Sequence, residues 1–351
     1  TAFHAACCYG HSEIAEMIMK NSSELKIDLN SKDNFGKTAF HAACCYGHSE
    51  IAEMIMKKSS ELKKDLNIKD KYGRTAFHLA CKNGHSEIAE MILKKSLELK
   101  SDLNIKDKHG LTAFHAACCY GHSEIAEMIM KKSSELQIDL NFKNNKGNSA
   151  FHLACDKGHS ETVEMILKNS SELKLSLNRK DNEGRTAFHL ICMRGHSEIA
   201  KMIMKNISEL KIDLNSKYND GKTAFHAACL NGHSEIAEMI MKNSSELKKD
   251  LNIKDKYGRT AFHLACKNGH SEIAEMILKK SLELKSDLNI KDKHGLTAFH
   301  AACCYGHSEI AEMIMKNSSE LKIDLNSKDN FGKTAFHAAC CYGHSEIAEM
   351  I

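Results

Sequence analysis

Cysteine and histidine recur along this chain at a spacing that could bind metal. Cys8 and His11 stand as Cys-x-x-His, and the pair returns as Cys45/His48, Cys119/His122, Cys304/His307 and Cys341/His344. Such a pair is half of a tetrahedral zinc site, which needs four converging ligands. A second His lies three residues after a hydroxyl (Thr1/His4, Thr38/His41 and eight further copies), the makings of a general base. The number of copies argues against both. Lys82 and Asp156 replace the Cys in other copies and no second ligand pair follows, while a base needs one singular geometry and not ten. Caps and packing contacts are therefore expected, with no catalytic residue, no metal and no cofactor. Ser12-Glu13 and its equivalents read as cap chemistry, not as a nucleophile.

The multiplicity comes from an internal repeat. The stretch from Thr1 to Ile18 begins again at Thr38, Thr75, Thr112, Ser149, Thr186, Thr223, Thr260, Thr297 and Thr334, always 37 residues apart. Nine full repeats and an 18-residue half account for residues 1–351, which reads as one array stabilised repeat against repeat. In repeat 2, Thr38 is placed to cap a short helix of small residues that Gly47 ends. Ser49 is expected to cap a second helix, with Glu50 and Glu53 in its first turn and Ile51, Ala52, Ile55 and Leu62 on one face. Asp70 and Gly73 bracket a tight projecting turn.

These residues resemble an ankyrin repeat: Asp-x-x-Gly-x-Thr-Ala-Phe-His-x-Ala-Cys-x-x-Gly-His-x-Glu-Ile-Ala matches that family's signature along nearly the whole chain. The resemblance implies an all-α solenoid of stacked helix-turn-helix units with projecting turns or short hairpins. It also implies that the Thr hydroxyl holds the first imidazole, which in turn holds a neighbouring turn's backbone. Three departures stand out. Ala replaces the usual Pro after Thr, Phe replaces the usual Leu before His, and the repeat has four extra residues. The extra residues predict a second helix about one turn longer than the family norm, to be abandoned if that helix ends at Lys57 or Lys58.

Composition narrows the function classes. Net charge is +3, which suits neither an acidic tail nor a generic polyanion binder, and no apolar run is long enough to span a membrane. Neighbouring helical repeats sit ~10 Å apart, too far for their equivalent cysteines to bridge. The 15 cysteines are thus expected to be reduced thiols of a cytoplasmic or nuclear protein. The chain begins and ends inside a repeat, without capping units, and reads as part of a longer array. Repeats 3 and 8 are identical, as are 1 and 9, so block duplication is inferred. Repeats 5 and 6 differ most, through Thr162-Val163, Ile191, Lys201, Ile207 and Tyr218, and an irregular centre is expected there.

Function is expected where the repeat leaves residues unfixed: the turn tips, the residue after the turn Gly, and the last two residues of the first helix. In the resembled family this line edges the concave, partner-binding face. The candidate partner-binding residues are Phe35, Lys37, Tyr46, Lys71, Tyr72, Arg74, Lys82, Lys108, His109, Tyr120, Lys146 and Lys157 in the first part of the chain. They continue as Arg185, Arg194, Lys222, Lys256, Tyr257, Arg259, Lys267, Lys293, His294, Tyr305, Phe331, Lys333 and Tyr342. The line carries fifteen Lys or Arg against Asp156, Glu183 and Asp220, an excess of twelve on a chain of net +3. A non-enzymatic scaffold or adaptor for an acidic protein segment is the expectation, aromatic residues serving as anchors. The alternatives are polyanion or nucleic-acid binding along the same edge, and an elastic or docking spacer in a larger protein such as a channel or ubiquitin-ligase adaptor. A solvated edge that only deters aggregation is the plainest account of the lysines.

Overall fold

A computed structural model describes residues 1–24, 26–58, 66–244 and 251–351. The chain divides into two compact halves, Thr1–Leu177 and Asn178–Ile351. Twenty-two helices and no strand occur among the described residues.

Each repeat starts with an eight-residue helix, such as Ala39–Tyr46 or Ala76–Asn83. Without Pro to preset the start, a capping box does so, with His in the place that Glu or Gln usually takes. The Thr38 hydroxyl accepts the His41 backbone N–H, and the His41 ring accepts the Thr38 backbone N–H. Gly47 ends the helix at φ 82°, its N–H closing on the Ala43 carbonyl. A Cβ there would also lie 2.6 Å from the His85 ring of the next repeat. Ala39, Ala43 and Cys44 are fully buried, and these small side chains let successive first helices pack closely.

The second helix is amphipathic. Ile51, Ala52, Ile55 and Met56 are buried, and each such aliphatic side chain is worth ~1.5–3 kcal/mol in transfer from water. Its start differs from expectation. Ser is the first helical residue, and His stands at the cap position without a side-chain cap bond, as at His85 and His122. That imidazole is already committed to the preceding repeat.

The helix extension holds in two repeats and is corrected in others: the second helix stops at Lys20, Lys132 and Asn169 in repeats 1, 4 and 5, while in repeat 2 the residues after Lys58, Leu62 among them, lie outside the described residues. Only Ser86–Leu99 and Ser271–Leu284, among the described helices, run to 14 residues. The cause is local. At four of the adjacent-serine pairs the first hydroxyl bonds back to the carbonyl three residues earlier, Ser22 to Met19, Ser133 to Met130, Ser170 to Leu167 and Ser318 to Met315, while Ser244 donates to Asn215 Oδ1. Leu97 and Leu282 replace the second Ser with a better helix former, and the helix continues. The hydroxyls of Ser96 and Ser281 are then buried without a partner. In the central repeats the helices are Ala150–Lys157, Ser160–Asn169, Ala187–Arg194 and Ser197–Lys205, the last followed after Asn206 by a separate turn of helix, Ile207–Leu210.

Candidate functional site

The projecting turn is built by its first residue. Asp70 Oδ1 accepts the backbone N–H groups of Tyr72 and Arg74 at 2.8 and 2.9 Å, and the Asp70 N–H reaches the Arg74 carbonyl. Asn144 does the same with its amide oxygen, so acceptor geometry and not charge is what the turn requires. Tips are tied from repeat to repeat by backbone bonds, to which the side-chain amides of Asn145, Asn219 and Asn330 add a bond to the preceding tip's carbonyl. In the N-terminal half Lys71 N–H donates to Phe35 O, Lys108 to Tyr72 and Asn145 to His109; in the C-terminal half Lys256 donates to Asp220 and Lys293 to Tyr257.

Both histidine series hold this framework together. In all ten repeats the capping hydroxyl lies 2.7–2.9 Å from His Nδ1. Nε2 meets a carbonyl of the following turn, as His41 meets Arg74 O at 3.2 Å and His78 meets Leu111 O at 3.0 Å. In His189 and His226 it meets Ser216 O and Ile253 O, just before that turn. With Nδ1 accepting a backbone N–H, the ring is the neutral Nε2–H tautomer. Burial pushes His41, His115, His189 and His226 down to about 4. The second series reaches backwards: His48 Nε2 donates to Cys8 O, His85 to Cys45 O and His122 to Lys82 O. His48 is thus spent on a carbonyl, not on metal with Cys45. The fifteen cysteines are free, and burial raises the Cys7 thiol to about 12, far from a reactive thiolate.

The line of variable residues falls on these tips and helix ends. Phe35, Tyr46, Tyr72, Tyr120, Tyr257, Tyr305, Phe331 and Tyr342 are exposed, as are Lys71, Lys108, His109, Lys146, Lys157, Arg194, Lys256, Lys293, His294 and Lys333. Several of the other cations are already engaged. Arg74, Arg185 and Arg259 each bind the turn carboxylate four residues back, through Asp70, Asp181 and Asp255, at 2.8 Å. Burial raises the Asp70 carboxyl, but the Arg74 guanidinium and the turn N–H groups outweigh it and hold the group below its ordinary value. Lys222 is buried, paired with Asp220 at 3.0 Å and lying over the rings of Tyr218 and Tyr257. Lys37 is half-buried and points its Nζ at Cys45. Lys82 and Lys267 lie over the rings of Tyr120 and Tyr305, at 5.3 and 5.0 Å.

Sequence reasoning read the turn Asp as a backbone device but left the seven of them, Asp33, Asp70, Asp107, Asp181, Asp255, Asp292 and Asp329, out of the charge of the edge, although they lie beneath the tips. Counting them reduces the excess of positive charge from twelve to five. The signal was there: an Arg directly after the turn Gly stands four residues from the Asp that opens the turn. Exposed charge is concentrated on the tip lysines.

No helix among the described residues is long and apolar enough to cross a membrane. A search of curated proteins finds no match. The family model for ankyrin repeats (3 copies) matches residues 1–65, 60–141, 93–176, 135–215, 172–250, 207–286 and 279–351. With these matches covering the chain from end to end, and with paired helices, capping His and projecting turn in place, the chain belongs to the ankyrin repeats, a family of generally non-enzymatic protein-interaction modules.

Proposed function

We propose that the turn tips and first-helix ends hold an acidic segment of a protein partner, making the chain a scaffold or adaptor of the cytoplasm or nucleus. One observation carries this reading: the tip lysines Lys71, Lys108, Lys256 and Lys293 are held through their backbone N–H groups, while their side chains stand in solvent. Cys45 and Lys82 offer carbonyls to histidines of the next repeat, and Lys71 and Lys108 use only N–H groups. Lys and Tyr are concentrated at these positions, a chemistry suited to carboxylates flanked by apolar groups. The free cysteines favour a reducing compartment.

A test is binding of a fluorescein-labelled Glu-rich peptide to the whole chain, with NaCl raised stepwise. Binding should weaken with salt, as exposed charge is screened. Reversal of Lys71, Lys108, Lys256 and Lys293 to Glu should weaken it about tenfold or more, at ~0.5–1 kcal/mol for each exposed charge. Arg74 and Arg259 are unsuited to reversal, since Glu there would face Asp70 or Asp255. Unchanged affinity in the fourfold variant would overturn the proposal. A single-stranded oligonucleotide that binds more tightly than the peptide would move the assignment to nucleic acid.

A further inference from the structure

The two halves carry the same surface twice. Residues 59–131 recur residue for residue as 244–316, five repeats later, with every side chain of the intervening edge residues preserved. The copies also fold alike. In the N-terminal half Arg74 lies 4.6 Å over Tyr72 and Lys82 lies 5.3 Å over Tyr120; in the C-terminal half Arg259 lies 4.6 Å over Tyr257 and Lys267 lies 5.0 Å over Tyr305. The rings are equally open, Tyr72 and Tyr120 at 47% and 49%, Tyr257 and Tyr305 at 49% and 51%. Each Arg is fixed by its turn carboxylate at 2.8 Å.

We infer that the chain has two equivalent docking patches for the same acidic segment. One is centred on Lys71, Tyr72, Lys82, Lys108 and Tyr120, the other on Lys256, Tyr257, Lys267, Lys293 and Tyr305. This rests on the acidic-partner reading above and adds a stoichiometry to it. Each patch presents two tyrosine faces, each with a cation over it, between two uncommitted tip lysines. The engaged Arg orients the ring and leaves Lys71 and Lys108, or Lys256 and Lys293, to meet carboxylates. Between the patches the edge changes character. The equivalent positions keep Lys146, Lys157 and Arg194 but also hold Asp156, Asn182, Glu183 and Met193, and no exposed Tyr stands there among the described residues.

The test is the number of sites per chain, measured by titrating the whole chain with the labelled Glu-rich peptide. Two equivalent sites are expected in the parent protein. The variant K71E/K82E/K108E should bind one peptide at unchanged affinity per site, and so should K256E/K267E/K293E. The six-substitution variant should lose binding. Far-UV circular dichroism matching the parent keeps misfolding apart from lost sites, and the Lys→Gln versions should show the same halving. A single site in the parent, or one triple variant that abolishes all binding, would overturn the inference while leaving the acidic-partner reading intact. Absence of any salt-sensitive peptide binding by the parent would instead overturn that reading, and this inference with it.

Discussion

Acidification should unfold this chain well above the pH at which its carboxylates protonate. The buried histidines are neutral by construction, Nδ1 accepting the capping N–H and Nε2–H donating to a carbonyl. An imidazolium would aim a second N–H at a backbone donor. Burial lowers His41, His115, His189 and His226 from 6.5 to about 4, and lowers His78, His263 and His300 in the same direction. The unfolded chain then binds more protons than the folded one between those values. Stability is therefore full above pH 6.5 and lost as pH falls toward 4. Each of the four residues contributes ~3 kcal/mol across the whole window, of which ~1.2 kcal/mol is lost between pH 7 and 5.5. The four together cost ~5 kcal/mol by pH 5.5, comparable to the whole stability of an ordinary domain. Urea unfolding followed by circular dichroism at pH 7, 6.5, 6 and 5.5 should show the midpoint falling steadily. The turn carboxylates do not interfere, since Asp70 and Asp329 are held below their ordinary value and act only at lower pH. In His115→Gln, proton uptake on unfolding at pH 5.5 should drop by about one. A midpoint constant from pH 7 to 5.5, or uptake unaltered by that substitution, would refute the reasoning.

Two further outcomes follow from the geometry. Ser96→Ala should stabilise by ~1 kcal/mol by removing a buried hydroxyl without a partner, whereas Ser133→Ala at the same repeat position should destabilise by a similar amount through its lost bond to Met130; urea midpoints decide the sign. Asp70→Ala should cost ~2–3 kcal/mol and Asp70→Asn about 1, because Asn keeps the two turn N–H bonds, as Asn144 does, and forfeits the Arg74 pair; thermal melts of the two variants should separate clearly.

Most of the scaffold was legible because each constraint is written many times over. The Thr-to-His bond, the Gly that ends the first helix and the Asp that opens the turn each depend on local spacing, which a sequence displays directly. What misled were balances between nearly equal choices. The four inserted residues extend a helix beside Leu97 and end one beside Ser134, although the surrounding residues barely differ. The two outcomes are separated by helix propensity and one serine hydroxyl, a margin of ~1 kcal/mol. Ser49 looked like a cap because its type suits that role, but His48 holds the position with its ring in the previous repeat. The charge of the edge was overstated for another reason. Asp70 was read for what it does to the backbone, and its second oxygen, which binds Arg74, is visible only in three dimensions.

The same separation of backbone from side chain accounts for how the repeat can be rigid and still carry information. The tip-to-tip bonds and the histidine bonds that join one repeat to the next use a carbonyl or an N–H of the variable residue, so these bonds survive substitution there. Cys45, Lys82 and Leu230 offer the same carbonyl to the same histidine at 3.0–3.1 Å, despite having nothing else in common. Thr38 and His41, whose side chains enter the framework, and Gly47, whose positive φ and lack of a Cβ it requires, cannot vary at comparable cost. Arg74 and Arg259 lie between these classes, variable in sequence yet bound to the turn. Their effect on a partner is exerted through the tyrosine ring they cover, and the uncommitted lysines on either side are where binding energy would be gained or lost.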